Sequence, residues 1–574
     1  MRRPSRSGLS LVFALSAIIP LAAQNLESIG KEKPFSFAGG VSFNQIFYSS
    51  SGIASGRDPY SYYASANLNL SLYGWTVPLT FSLSNQNTSF SQPFNQYSVH
   101  PTYKWITAHV GYTSMSFSPY TVNGHVFLGG AIDLAPGGIW KFSTFYGRFM
   151  KAVEPDSLQS SSMPAFQRIG YGLKVTCGGS RNFIDMIVFH AEDDLHSIRN
   201  IPDSVDITPQ QNLVLSFGIG KTLFKSFLLK AEFATSAMSK DTRANETVND
   251  HPLAECGIFQ PRVSSSYYNA FKTSFDYQRG EWRLGLAYER IDPGYRTLGA
   301  YYFNNDLENI TLNGSTGMLQ GKLNMAASAG IQGDNLDKTK ISTMRRIVGS
   351  INITYTASQH FNTSASYSSF QTYTNIRSQF ETINQLTPYD NLDTLNFTQI
   401  SRNASMSAMY SLPGGENKKQ NFNLQLTWQD AADTQGQVKQ HSGTRFYNIN
   451  TGYSITLVPQ NISVAINFNT SINEGYHINN RTMGPGVTIS RSFFKRKFRT
   501  TLSSSYNTAR SNGVRINTAI NGRLSGALSL HDKHNINLSA IAVNRGRTRE
   551  GVPYYVTEFT GTMGYSYTVV GRRK

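Results

Sequence analysis

Val514-Arg-Ile-Asn-Thr-Ala-Ile-Asn-Gly-Arg-Leu-Ser-Gly-Ala-Leu-Ser-Leu530 decides the fold. Val514, Ile516, Thr518, Ile520, Leu524, Leu528 and Leu530 share one parity, with Gly522 and Gly526 between them; Arg515, Asn517, Asn521, Arg523, Ser525 and Ser529 share the other. Successive side chains of a strand point to opposite faces, so the stretch reads as one strand with an apolar and a polar face; the period of about 3.6 that a helix needs is absent. At ~3.3 Å per residue it would run roughly 50 Å, whereas strands of soluble domains average about 5–6 residues. A strand that crosses a bilayer needs about 9–11 residues and can continue beyond it.

Working outward, the same alternation recurs at Ala66, Leu68, Leu70 and Leu72, at Leu79, Phe81 and Leu83, and at Leu213, Leu215, Phe217 and Ile219. It returns at Phe422, Leu424, Leu426 and Trp428, and at Ile462, Val464, Ile466 and Phe468. Turn signals at Leu134-Ala-Pro-Gly-Gly138, Leu412-Pro-Gly-Gly-Glu416, Ser511-Asn-Gly513 and Leu530-His-Asp-Lys-His534 separate such segments and favour antiparallel neighbours. Longer polar stretches near 153–166, 191–209, 237–262 and 373–393 read as loops on one rim. A sandwich would also alternate, and a β-helix would show a short fixed repeat, which is absent. Strand length, the unbroken array and a polar face of Asn, Ser, Thr, Gln and Gly favour a barrel whose polar faces turn inward together. The prediction is an all-β, transmembrane, antiparallel up-and-down barrel of about 24 strands, within a range of roughly 20–26, with no separate plug domain.

Composition agrees with this class. The chain has 574 residues with 52 Lys and Arg against 35 Asp and Glu, a formal charge of +17. Only 15% of residues are charged, and 31 Tyr and 35 Phe are too many aromatics for a disordered chain. Two cysteines exclude a disulfide-rich scaffold. Arg2, Arg3 and Arg6 precede an apolar run from Leu9 to Ala23, the arrangement of a secretory signal peptide. The expected organisation is a signal peptide at 1–23, a short tail at 24–34 and the barrel at 35–574. Removal of the leader lowers the formal charge from +17 to +14. No later segment is long and apolar enough for a membrane helix.

The processing region Ala22-Ala-Gln-Asn25 and the terminal stretch Tyr555-Val-Thr-Glu-Phe-Thr-Gly-Thr-Met-Gly-Tyr-Ser-Tyr-Thr-Val-Val570 carry a further resemblance. Tyr555, Phe559, Met563, Tyr565, Tyr567 and Val569 share one face of that last strand. It is similar to the aromatic-rich signal that assembly machinery reads at the C-terminus of outer-membrane barrels, although Gly571-Arg-Arg-Lys574 follows it here. At class level the chain resembles the large single-chain outer-membrane β-barrels of the Bacteroidota type. The resemblance implies a place in the cell outer membrane. It also implies contact with outer-membrane lipid and lipopolysaccharide, and engagement of barrel assembly machinery during biogenesis.

Candidate sites are few, and no catalytic motif, metal motif or cofactor motif is found, so no enzyme activity and no cofactor are expected. Arg515 and Arg523 share the polar face of the deciding strand; in a hollow barrel they would attract anions, and in a filled one they would pair with Asp or Glu across the interior. Arg545, Arg547 and Arg549 alternate within one segment and read as charge on a lumen or rim that attracts anions, or as plain loop charge. Arg491, Lys495, Arg496, Lys497 and Arg499 surround Phe493 and Phe494 and read as a lipid head-group contact at a rim, or as a solvated turn. Cys177 and Cys256 form a candidate disulfide, with two free thiols as the alternative. His190, Glu192, Asp193, Asp194 and His196 are read as an acidic loop tip rather than a metal site. The functional expectation is a porin-like channel for small polar or anionic solutes. The alternative is a structural barrel subunit of an outer-membrane protein assembly or secretion complex, with envelope-complex subunits as partners. Nucleic acid is not an expected partner.

Overall fold

The computed structural model describes residues 35–85, 95–155, 164–199, 207–248, 251–255, 257–339, 345–369, 402–431, 434–435, 438–439, 444–475, 477–531, 533–549 and 552–572. Alternation in the chain becomes one continuous antiparallel sheet that closes on itself as a barrel of 26 strands. The count lies at the upper end of the expected range. The first described strand is Phe35–Ser51 and the last, Val552–Arg572, is the longest at 21 residues. These two pair with each other from Ser36↔Arg572 to Ser51↔Thr557, which closes the ring and leaves the main sheet no free edge. Gln96–Val99 and Thr102–Tyr103 lie end to end and occupy one strand position. A small hairpin, Thr434–Gln435 with Val438–Lys439, stands apart from the main sheet.

Register decides which side chains face inward. Cross-strand partners point the same way, so a face can be followed around the ring. From Ser42 it passes through Ser65 and Ser82, then on through Phe145, Gly172 and Phe189. Further round, Ser503 stands opposite Arg523, Asn521 opposite Val543, Val543 opposite Glu558, and Ser566 returns to Ser42. The opposite face carries Phe43, Ile466, Ile520, Leu524, Phe559 and Met563, all exposed. Leu524 is 57% exposed although nothing in a water-soluble protein would favour leaving a row of such residues bare. A lipid-facing belt accounts for it.

Two rims follow from the connections. One carries tight turns such as 73–74, 104–105, 224–226, 280–281 and 494–497; the other carries the longer connections, including those after Met150, Ser239, Ile291 and Ser368. Four of the five tryptophans, Trp75, Trp105, Trp140 and Trp282, are exposed beside tight turns. Amphipathic rings gather at the height of lipid head groups, so this girdle marks a membrane–water interface. At the other rim, Leu253 and Phe259 fold over Leu213 and Ala237 on the outer face and bury them.

The stretch expected as an acidic loop tip is a correction. Residues 190–194 continue the strand Phe183–Asp194, and only His196 lies in a short turn of helix beyond it. Strand alternation sends Asp193 inward and His190, Glu192 and Asp194 outward, which separates the carboxylates.

Candidate functional site

The lumen is the one space enclosed by the whole fold, and its wall is of two kinds. From Leu307 to Leu530 most of the described inward residues are small and polar: Asn313, Ser328, Ser350, Ser366, Ser405 and Thr427 in one sequence of neighbours, and Asn450, Asn469, Ser503 and Asn521 further round. Their hydroxyls bond across strands: Ser328 with Ser350 at 3.0 Å, Ser366 with Ser405 at 2.6 Å, and Asn521 Nδ2 donating to Ser505 Oγ at 3.0 Å. This is the wet inner face that the sequence pattern predicts.

Between Met115 and Leu298 the expected polar inner face is corrected. Phe127, Phe145, Phe149, Ile187, Phe189 and Val214 point into the barrel and are buried there. Two connections turn inward and cover them. Residues 117–122 bring Phe117, Tyr120 and Val122; residues 292–306 bring Tyr295, Leu298 and, partly buried, Phe303. The two segments are stitched together. Val122 bridges Gly299, the Tyr295 hydroxyl donates to Tyr120 O at 2.9 Å, and the Thr297 hydroxyl donates to Thr121 O at 2.5 Å. They are also tied to the wall. Leu298 N donates to Asn212 Oδ1 at 3.0 Å, the Ser236 hydroxyl to Arg296 O at 2.7 Å, and Lys174 Nζ to Phe117 O at 3.0 Å. The result is a dry core inside the lumen, built from connections rather than from a separate plug domain.

Glycines make room for its rings. A Cβ on Gly172 would lie 2.7 Å from Phe145 Cε1, and one on Gly170 would lie 2.9 Å from Phe149 Cε2. The rings therefore lie flat across neighbouring strands, with Phe127 and Phe145 stacked at 4.8 Å between centroids. A signal for this was present in the sequence. Met186-Ile-Val-Phe189 and Leu213-Val-Leu215 are unbroken apolar runs, the mark of strands buried on both faces. Reading only alternate positions, such as Leu213 and Leu215, passes over Val214.

Ionised groups facing the lumen are mostly paired. Lys174 meets Asp185 at 3.2 Å, Lys272 meets Glu289 at 3.4 Å, and Arg168 holds Asp193 through Nε at 2.7 Å and Nη2 at 2.9 Å. Tyr120 donates to Glu289. Burial first, and then the Glu289 carboxylate, pushes the Tyr120 phenol far above its usual range, so it remains a proton donor. At the closing seam Arg545 Nη1 lies 2.8 Å from Glu558 Oε2, and the Tyr48 hydroxyl donates to Glu558 Oε1 at 2.6 Å.

Near the tight-turn rim, histidines form a chain. Ser98 Oγ lies 2.9 Å from His100 Nε2, His100 Nδ1 lies 2.8 Å from His109 Nδ1, and His109 Nε2 lies 3.0 Å from Asp133 Oδ2, while Asp133 Oδ1 accepts from Ser143. A serine triad needs one imidazole between hydroxyl and carboxylate. Here two imidazoles separate Ser98 from Asp133. His125 is buried and stacks on Tyr301 at 4.0 Å, and His190 is buried beside Gln211, 3.2 Å away. Among the described residues no group of three His, Cys, Asp or Glu side chains is arranged to hold a metal ion.

The expected site residues fall in different places. Arg523 faces the lumen, and among the described residues nothing bonds or pairs with it. Arg515 lies on the same face at the far rim, where the register slips next to Arg510. Arg545 is neutralised by Glu558 rather than free to attract anions; Arg547 and Arg549 continue its strand, and their side chains lie outside the description. The basic cluster is split. Arg491 shares the outer face with Ile462 and stacks over Phe493 at 4.9 Å, Lys495, Arg496 and Lys497 are exposed at the turn, and Arg499 faces inward and donates to Ser490 at 3.3 Å. Tyr555, Phe559, Met563 and Tyr565 are exposed on the outer face, and Tyr567 and Val569 keep its parity. Cys177 lies opposite Trp140 near a tight turn and has no disulfide partner among the described residues. Cys256 lies outside the described residues, as do 1–34.

A closed sheet, an apolar outer belt and a largely polar lumen together define a large membrane β-barrel. No protein-family model and no curated protein matches the chain. Solved structures of similar architecture include the translocation pore of the P pilus usher PapC, at 8% identity and a TM-score of 0.40, covering 93% of this chain and 100% of that one. Another is the FrpB iron transporter from Neisseria meningitidis (F5-1 variant), at 9% identity and a TM-score of 0.37, covering 93% of this chain and 82% of that one. A third is the outer membrane protein OprD from Pseudomonas aeruginosa, at 9% identity and a TM-score of 0.32, covering 72% of this chain and 92% of that one.

Proposed function

We propose that this barrel is a non-enzymatic, porin-like channel of the outer membrane that passes small polar or anionic solutes. The observation that carries the reading is the inner wall from Leu307 to Leu530, which offers hydroxyl and amide groups to water across its face. A structural barrel with no passage would have no need of a wetted wall this broad. The inward connections occupy one side of the lumen and leave the polar wall opposite them. The similarity of the terminal strand and of residues 22–25 to outer-membrane barrels of the Bacteroidota type supports the membrane assignment and a cleaved leader.

The second reading is a structural subunit of an assembly or secretion complex. The seam speaks against lateral release of a client, because sixteen residue pairs and the Tyr48–Glu558 contact lock the first and last strands. Single-channel recording in a planar bilayer tests the proposal. A steady open current is the expected result; inserted protein without current would defeat it. Purification in mild detergent with stable partner chains would favour the second reading.

A further inference from the structure

We infer that the trough around Arg523 is a binding subsite for small hydroxylated carboxylates of the sugar-acid kind. The inference deepens the channel reading and rests on it for access from solution. A cavity of about 280 Å³ lies against the polar wall, lined among others by Asn423, Asn467, Thr488, Ser503, Asn521 and Arg523. Small residues make the hollow. A Cβ on Gly452 would meet Asn423 Oδ1 at 2.4 Å, so the glycine lets that amide lie against the wall. The floor is already ordered, with Thr488 Oγ1 donating to Ser503 Oγ at 3.1 Å and Asn521 to Ser505 at 3.0 Å.

Arg523 differs from four other cations that face the lumen. Lys174, Lys272, Arg168 and Arg545 each have a carboxylate partner. Among the described residues Arg523 has none, and its Nε is buried without an acceptor. A buried donor left unpaired is costly, and a planar guanidinium matches a carboxylate through two parallel hydrogen bonds. Amides and hydroxyls around it both donate and accept, which matches the hydroxyls of a sugar ring. A lone carboxylate would satisfy Arg523 but make no use of the second hydrogen-bonding capacity of those groups; a neutral sugar would do the reverse.

Equilibrium binding of radiolabelled glucuronate, glucose and acetate to the full chain in detergent tests the subsite. Wild-type protein should bind glucuronate about tenfold more tightly than glucose or acetate, the scale of one charge-assisted contact. Arg523→Gln should erase that preference, Arg523→Lys should keep part of it, and Arg515→Gln, on the same face roughly 26 Å away by strand rise, should leave it intact. Heat-modified gel mobility confirms that each variant is a folded barrel. Equal binding of the three ligands by the wild type, or equal losses in the Arg515 and Arg523 variants, would overturn the inference. Glucuronate flux into liposomes reads the channel separately: binding without flux upholds the subsite and removes the channel.

Discussion

The strands Phe183–Asp194 and Ile462–Gly475 are close in length, 12 and 14 residues, yet they furnish the inside of the barrel in opposite ways. The first turns Ile187, Phe189 and Ala191 inward, buried under Tyr295, Leu298 and their neighbours. The second turns Ser463, Ala465, Asn467 and Asn469 inward. Both strands keep an apolar outer row, Ile184 and Met186 in one, Ile466 and Phe468 in the other. Lipid therefore imposes the same rule on every outer face, while the inner face is free to be wet or dry according to what folds against it. One barrel carries both solutions side by side.

Breaking that contrast is the strongest test of it. Replacing residues 293–304 with a short Gly-Ser link uncovers the dry core and should raise single-channel conductance more than twofold; an unchanged conductance would mean that the connection does not narrow the passage. Phe189→Ala empties a fully buried site and should cost about 3–5 kcal/mol against unfolding, whereas Ser503→Ala on the wet wall should change stability by roughly 0.5 kcal/mol or less. Denaturant titration of both variants compares the walls directly, and equal losses would refute a packed interior. Gly172→Ala drives a methyl group toward Phe145 and should cost about 1–3 kcal/mol through overpacking. At the seam between the walls, Glu558→Gln leaves Arg545 without its carboxylate and should lower stability by about 1–3 kcal/mol, read as a lower temperature for the heat-modified gel shift. The smallest effect belongs to the basic turn. Phe494, Lys495 and Arg496 hold φ of 51°, 54° and 68°, a left-handed run that costs L-residues roughly 1–2 kcal/mol each. Lys495→Gly should therefore stabilise the barrel by up to about 1 kcal/mol.

Much of the architecture was legible. Strand Val514–Leu530 begins and ends where alternation begins and ends, and the tight turns at 412–416 and 530–534 join antiparallel neighbours. Arg523 was found from parity alone. The inner core was not, because only the outer row alternates cleanly and the inward Ile187 and Val214 are hidden within unbroken apolar runs. The histidine chain was out of reach as well. His100, His109 and Asp133 come from three strand regions, and only their register sets them side by side.

Local sequence therefore determined the strand, its two faces and the membrane it suits, since each follows from the two-residue repeat of an extended chain against lipid. Tertiary structure decided the rest. Closing 26 strands fixed which face is inside. The packing of 117–122 on 292–306 decided which part of the lumen is dry, and the lack of a carboxylate beside Arg523 among the described residues left that cation open to a ligand. Such relations join residues far apart in the chain, and no periodicity records them.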